Sequence, residues 1–177
     1  MKTNLAVLGG VLLALFASSC ATVPQDGGGT AQVNFQSPEN FTDMGSTYMT
    51  ERGADPGYIS ELQKYIEERA QSRLPAGSSL DLTITDVDMA GRFEPEQGPN
   101  FTDVRFVREI YPPRIQLTYR LTDTTGAVRG EGQRTLFDQS FQWRISPITL
   151  NDPLRYEKAL IDDFLSEMSR EARATRT

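Results

Sequence analysis

Histidine is absent from this chain, and cysteine occurs once, at position 20. Without imidazole there is no histidine zinc site, no Ser-His-Asp triad and no imidazole proton shuttle. One cysteine allows neither an internal disulfide nor a thiolate metal cluster. Positive charge is also scarce, with 18 Lys and Arg against 24 Asp and Glu. That balance argues against nucleic acid, whose phosphates are held mainly by basic side chains. It argues equally against electrostatic adhesion to anionic lipid. The chain has no Walker loop, no dinucleotide-binding glycine pattern, no nucleophile elbow and no internal repeat. No cofactor and no metal are therefore expected. An enzyme built from this sequence would have to work with carboxylates, Lys, Tyr, Ser or an oxygen-liganded ion, and no catalytic set stands out.

One long apolar run is present, and it lies at the start. Lys2 precedes the stretch from Leu5 to Phe16, and the small residues Ala17-Ser18-Ser19 lead to Cys20. A basic start, a short apolar run and small residues make up a secretory signal, and the run is too short to span a bilayer as a helix. The tripeptide before Cys20 resembles the lipobox of bacterial lipoproteins, with Ala17 where Leu is usual. The resemblance implies that residues 1–19 are removed and that Cys20 carries the lipid, palmitate included, as the first mature residue. Several buried acyl chains make such an anchor stable. By resemblance to enterobacterial lipoprotein sorting, Ala21 after the cysteine implies the Gram-negative outer membrane, facing the periplasm. Residues 20–31 read as the acylated cysteine and a glycine-rich tether. Loss of the leader removes one Lys, leaving 17 basic and 24 acidic residues. The remainder, 32–177, has room for a single domain.

Periodicity gives the elements of that domain. Gln32 to Phe35 alternates and predicts a strand, and residues 36–54 read as a polar connection. Asp55-Pro56 is an N-cap followed by proline at the first helical position. The helix predicted from there to about Arg73 puts Ile59, Leu62, Ile66 and Ala70 on its inner face. Leu74-Pro75 ends it. A strand begins near Ser79, with Leu80, Leu82 and Ile84 on one face. Val104, Phe106 and Ile110 mark a further core strand. Arg114 to Thr122 alternates most clearly, and Asp123-Thr124-Thr125-Gly126 turns it into a hairpin with 127–137. A less regular segment carries Phe141, Trp143 and Ile148. Asp152-Pro153 then opens a last helix with Leu154, Ile161, Leu165 and Met168 in one stripe. The order β-α-β-β-β-β-α predicts an α+β fold: a mostly antiparallel sheet packed by two helices.

Several runs together resemble a family of exported bacterial proteins known as domain-of-unknown-function family 3016. They are Phe35 with Pro38 to Asp43, Leu74 to Gly77, Thr85 to Gly91, Phe93-Glu94-Pro95, Tyr111 to Arg114 and Leu154 to Lys158. The resemblance covers about residues 32 to 165. It implies one exported domain and brings no activity and no site residues with it.

Asp86 and Asp88 are the sharpest polar feature. Counting by twos from Leu80 places both on the core-facing side of the strand, where a carboxylate is costly unless paired or liganded. Three readings stand. A bulge or the strand's end makes them structural acceptors, or Arg114 or Arg155 pairs with them. Alternatively they hold Ca²⁺ or Mg²⁺: Asp86, Asp88, Gly91 and Glu94 fall at EF-hand positions 1, 3, 6 and 9. Ala90 and Gln97 at positions 5 and 12 count against an EF-hand proper and leave only a looser oxygen site. The third reading is acid–base catalysis by the pair, as in glycosidases. Asp86, Asp88, Arg114 and Arg155 are thus one candidate polar cluster.

Arg105, Arg114 and Arg155 form a possible anion clamp, with salt bridging to Asp86, Asp88, Asp103 or Glu157 as the plainer alternative. Phe93, Phe141, Trp143 and Tyr156 line a groove for peptide or glycan, or simply fill the core. The sequence points to a lipid-anchored, non-catalytic binding or assembly module whose partner is an envelope protein, peptidoglycan or a lipid. A carboxylate- or metal-dependent hydrolase using Asp86 and Asp88 is the alternative.

Overall fold

Alternation of apolar and polar residues builds one four-stranded sheet, and two amphipathic helices cover one of its faces. The computed structural model describes residues 28–145 and 147–174. The leader and Cys20 lie outside the described residues. The elements are β1 (Thr30–Phe35), α1 (Pro56–Arg73), β2 (Ser79–Asp88), β3 (Arg92–Phe93), β4 (Arg105–Phe106), β5 (Arg114–Thr122), β6 (Val128–Phe137) and α2 (Arg155–Ala174). The main sheet runs β1-β2-β5-β6, and β3 pairs with β4 in a separate two-stranded ribbon. Only β1 and β2 are parallel, with α1 as their crossover; the other pairings are antiparallel. The chain is an α+β domain.

Helix α1 starts where the sequence says it should. Asp55 accepts the amides of Gly57 (2.7 Å) and Tyr58 (3.4 Å), and its other oxygen takes the Ser46 hydroxyl at 2.6 Å. Leu62, Ile66 and Ala70 are buried, and Leu74 leaves the helix in an extended conformation before Pro75. In α2, Asp152 accepts the amide of Leu154 at 2.8 Å, and Leu154, Ile161, Leu165 and Met168 are buried. The inner faces of the two helices meet Leu80, Leu82, Ile84, Ile115, Leu117 and Leu121. Burial of such side chains stabilises by roughly 1.5–3 kcal/mol each. Arg69 clamps Asp162 through two contacts, 2.9 and 2.7 Å, and so fixes α1 against α2.

Two expectations change. The strand expected from Val104, Phe106 and Ile110 is not formed: only Arg105 and Phe106 pair, with Phe93 and Arg92, and Ile110 is 73% exposed. Its physical cause is Arg105, whose side chain is drawn inward to a buried acid and pins the loop there. The connection 36–54, polar in composition, is tucked into the domain through fully buried Phe41 and Met44. It lies beside the end of β2: the amide of Asp43 donates to Val87 O and that of Met89 to Asp43 O, both at 2.9 Å.

Candidate functional site

The described chain enters the domain beside the C-terminus of α1, where Gly29 and Thr30 donate to the carbonyls of Leu74 and Ser78. Strand β2 carries it away from that pole over ten residues, about 30 Å at the usual rise. At the far pole, just past β2, lies a cleft of about 400 Å³. Met89, Ala90 and Phe93 come from the β2–β3 connection, Asp103, Arg105 and Val107 from the β4 region. Residues 150–156, leading into α2, close the other side, and Tyr58 of α1 adds a half-buried phenol. The volume is that of a small-molecule site.

Its floor is an ion pair. Arg105 Nη1 and Nη2 each meet an oxygen of buried Asp43 at 2.7 Å. The same two nitrogens donate to Gly91 O (3.0 Å) and Gly45 O (3.1 Å). The guanidinium lies 4.5 Å over the Phe93 ring centroid. With both terminal nitrogens so committed, Arg105 acts as a clasp between loops. Gly91, at φ +81°, must be glycine here: a Cβ would stand 2.7 Å from the Phe106 carbonyl oxygen.

Beside this pair sits Glu157, completely buried in the first turn of α2. Its Oε1 accepts the Ala90 amide at 2.8 Å, and Oε2 is buried with no hydrogen-bond partner among the described residues. Burial pushes its carboxyl up to about 7, against the opposing pull of the Ala90 amide and the Arg105 charge.

The candidate cluster divides. In β2 the register slips between Ile84 and Asp86 relative to β5, leaving Thr85 as an extra residue. The bulge returns Val87 to the core and turns Asp86 and Asp88 toward the open face of the sheet. Asp86 there clasps Thr42, accepting its amide at 2.7 Å and its hydroxyl at 2.9 Å. Asp88 faces Arg114 across the β2–β5 ladder. Its carboxyl is raised by burial first and by the charge of Asp43 second, with Arg92 and Arg114 pulling it down. Arg114 itself stacks over Phe137 at 5.2 Å. Arg155 is not with them. It lies on the cleft wall, 4.2 Å over the Tyr156 ring centroid, and donates to that hydroxyl and to the Leu150 carbonyl. It makes no ion pair among the described residues because α2 starts at the other side of the cleft. Glu94, the third acid of the calcium reading, is held by Arg108 at 2.6 Å. Among the described residues no group of three acidic side chains is placed to hold an ion.

The aromatic set divides too. Phe93 and Tyr156 line the cleft, whereas Phe141 is buried edge-on against Tyr156, with centroids 4.8 Å apart. Trp143 is 80% exposed and donates its indole N–H to Glu109 at 3.2 Å. Asp43 and Glu157 are the residues that periodicity did not single out as a buried pair of acids. Asp43 carried a signal, standing between Phe41 and Met44 in a stretch otherwise polar.

A family model described as "Protein of unknown function (DUF3016)" matches residues 29–167. The chain belongs to this family. No curated protein matches the chain. The DUF3016 span runs from the entry of β1 to residue 167, so it contains the cleft, its floor, all of α1 and the first part of α2. Most of the runs that carried the resemblance meet at this pole, where the Gly91 amide donates to Tyr111 O, Met89 to Asp43 O, and Ala90 to Glu157, whereas Leu74 to Gly77 lies at the opposite one. The family description assigns no activity, so chemistry must be argued from the cleft itself.

Proposed function

We propose that the protein is an exported bacterial envelope lipoprotein, anchored through Cys20 to the outer membrane, whose far-pole cleft binds a ligand in the periplasm. The single observation that supports this reading is the placement of the cleft. It opens about 30 Å, one length of β2, from the point where the tether enters at Gly28 and Gly29. A protein held by its N-terminus would therefore hold the cleft away from its own membrane. The lining sets Tyr58, Phe93 and Tyr156 beside Met89, Ala90 and Val107, with charged Asp103, Arg105, Asp152 and Arg155 among them.

Binding is favoured over hydrolysis by the state of the acids. Asp86 accepts from Thr42 with both oxygens and from Gln116, and neither Asp86 nor Asp88 lines the cleft, so a ligand held there does not meet the pair. Isotope-labelled protein mixed with solubilised peptidoglycan fragments and periplasmic extract tests the reading by nuclear magnetic resonance. Shifts confined to Met89, Phe93, Val107 and 150–156 support it, and shifts confined to the β6 edge or to the tether pole would overturn it.

A further inference from the structure

The charges that line the cleft are not equivalent. Arg105 is neutralised by Asp43 from behind, and Asp152 meets Lys158, an ammonium it shares with Glu61. Two further groups meet no opposite charge among the described residues. Arg155 meets no carboxylate among the described residues; its guanidinium is oriented by the Tyr156 ring and by the Leu150 carbonyl. Asp103 meets no cation; one oxygen accepts the Tyr48 amide at 3.1 Å and the other has no partner among the described residues. Both line the same cavity of about 400 Å³, whose other lining residues include Ser46, Tyr58, Met89, Phe93, Val107 and Asn151.

Resting on the reading of this cleft as a binding site, we propose that its ligand is a short peptide or amino-acid derivative bearing a free ammonium and a free carboxylate. The carboxylate sits on Arg155, whose planar donors suit a two-pronged contact. The ammonium sits on the open oxygen of Asp103, and small apolar side chains lie on Met89, Phe93 and Val107. A neutral sugar would leave both charges unmatched, and a purely anionic ligand would meet Asp103 with like charge. Half-burial of Arg155 beside the Tyr156 ring strengthens its charge-assisted contact relative to open water, whereas Asp103 is exposed.

Calorimetric titration of the full-length chain in mild detergent, with trialanine as the probe, tests the assignment. Trialanine is expected to bind, and N-acetylation or C-terminal amidation to weaken it about tenfold each, the size of one charge-assisted hydrogen bond. Asp103→Asn, which keeps an acceptor for the Tyr48 amide, is expected to erase the penalty of N-acetylation alone. Arg155→Gln is expected to erase the penalty of amidation alone. Di- and tetra-alanine report the spacing, since each residue adds at most about 3.5 Å. Equal affinity of capped and free peptides would overturn the proposal, as would binding of an N-acetylglucosamine disaccharide in place of trialanine. If trialanine does not bind while ligand-induced shifts still map to the cleft, the peptide class falls and the site stands. If neither is seen, both fall.

Discussion

Arg105 and Asp43 meet through two contacts of 2.7 Å, 62 residues apart in sequence, and that one pairing holds the cleft's floor together. Asp43 is buried and Arg105 nearly so, so each would be an uncompensated charge without the other. Removing one partner of such a pair costs about 3–5 kcal/mol. Arg105→Met and Asp43→Asn are each expected to lose stability of that order in urea unfolding. Arg105→Lys is expected to recover little, because an ammonium cannot reach Asp43, Gly45 O and Gly91 O together.

Glu157 makes stability depend on pH. Its carboxyl is raised from 4.5 to about 7 in the folded protein, so between those values the folded state binds more protons than the unfolded state. The contribution of Glu157 to stability is fully present below about pH 4.5 and is lost as pH rises through about 7, by on the order of 3 kcal/mol in all. Glu157→Gln is expected to flatten this slope in thermal melts between pH 5 and 8, and to be more stable than the parent at pH 8.

Asp86 and Asp88 are expected to separate on mutation. Asp86→Ala removes the acceptor of the Thr42 amide and hydroxyl and should cost about 1–3 kcal/mol. Asp88 is raised by burial and by Asp43, so its ionisation opposes folding as pH rises. Asp88→Asn should be neutral or slightly stabilising at pH 7 in the same urea assay. Calorimetric titration with Ca²⁺ or Mg²⁺ should give no binding heat, before or after Asp88→Asn.

The helices and the long strands were legible because their signals are local. Asp55-Pro56 and Asp152-Pro153 mark helix starts, and alternation from Arg114 to Thr122 is unbroken. What escaped was set by distant contacts. Parity counted from Leu80 puts Asp86 inward, and only pairing against β5 reveals that Thr85 is an extra residue. Val104, Phe106 and Ile110 look like a strand's inner face, yet the pull of Asp43 on Arg105 outweighs the modest gain from extending a two-residue ribbon. Charge alone groups Arg155 with Asp86 and Asp88. Its place in the cleft follows from α2 packing on the sheet, which no spacing in the chain encodes. Glu157 reads as an ordinary surface acid of a helix's first turn, where negative charge suits the dipole; burial under Ala90 makes it unusual.

The anchoring proposal is tested by Cys20→Ser in the native host. The parent chain is expected in the membrane fraction with an acylated N-terminal peptide by mass spectrometry, and the variant in the soluble periplasmic fraction. Recovery of an unmodified parent in the soluble fraction would remove the lipid anchor from the account while leaving the cleft untouched.

Site-specific photo-cross-linking in living cells tests the central claim most directly, by placing the reactive side chain at Leu150 on the cleft rim or at Thr124 in the β5–β6 turn near the pole where β1 begins. Discrete, repeatable adducts at Leu150 and none at Thr124 are the predicted result. Adducts at Thr124 alone, or the same set at both positions, would contradict a binding site at the far pole.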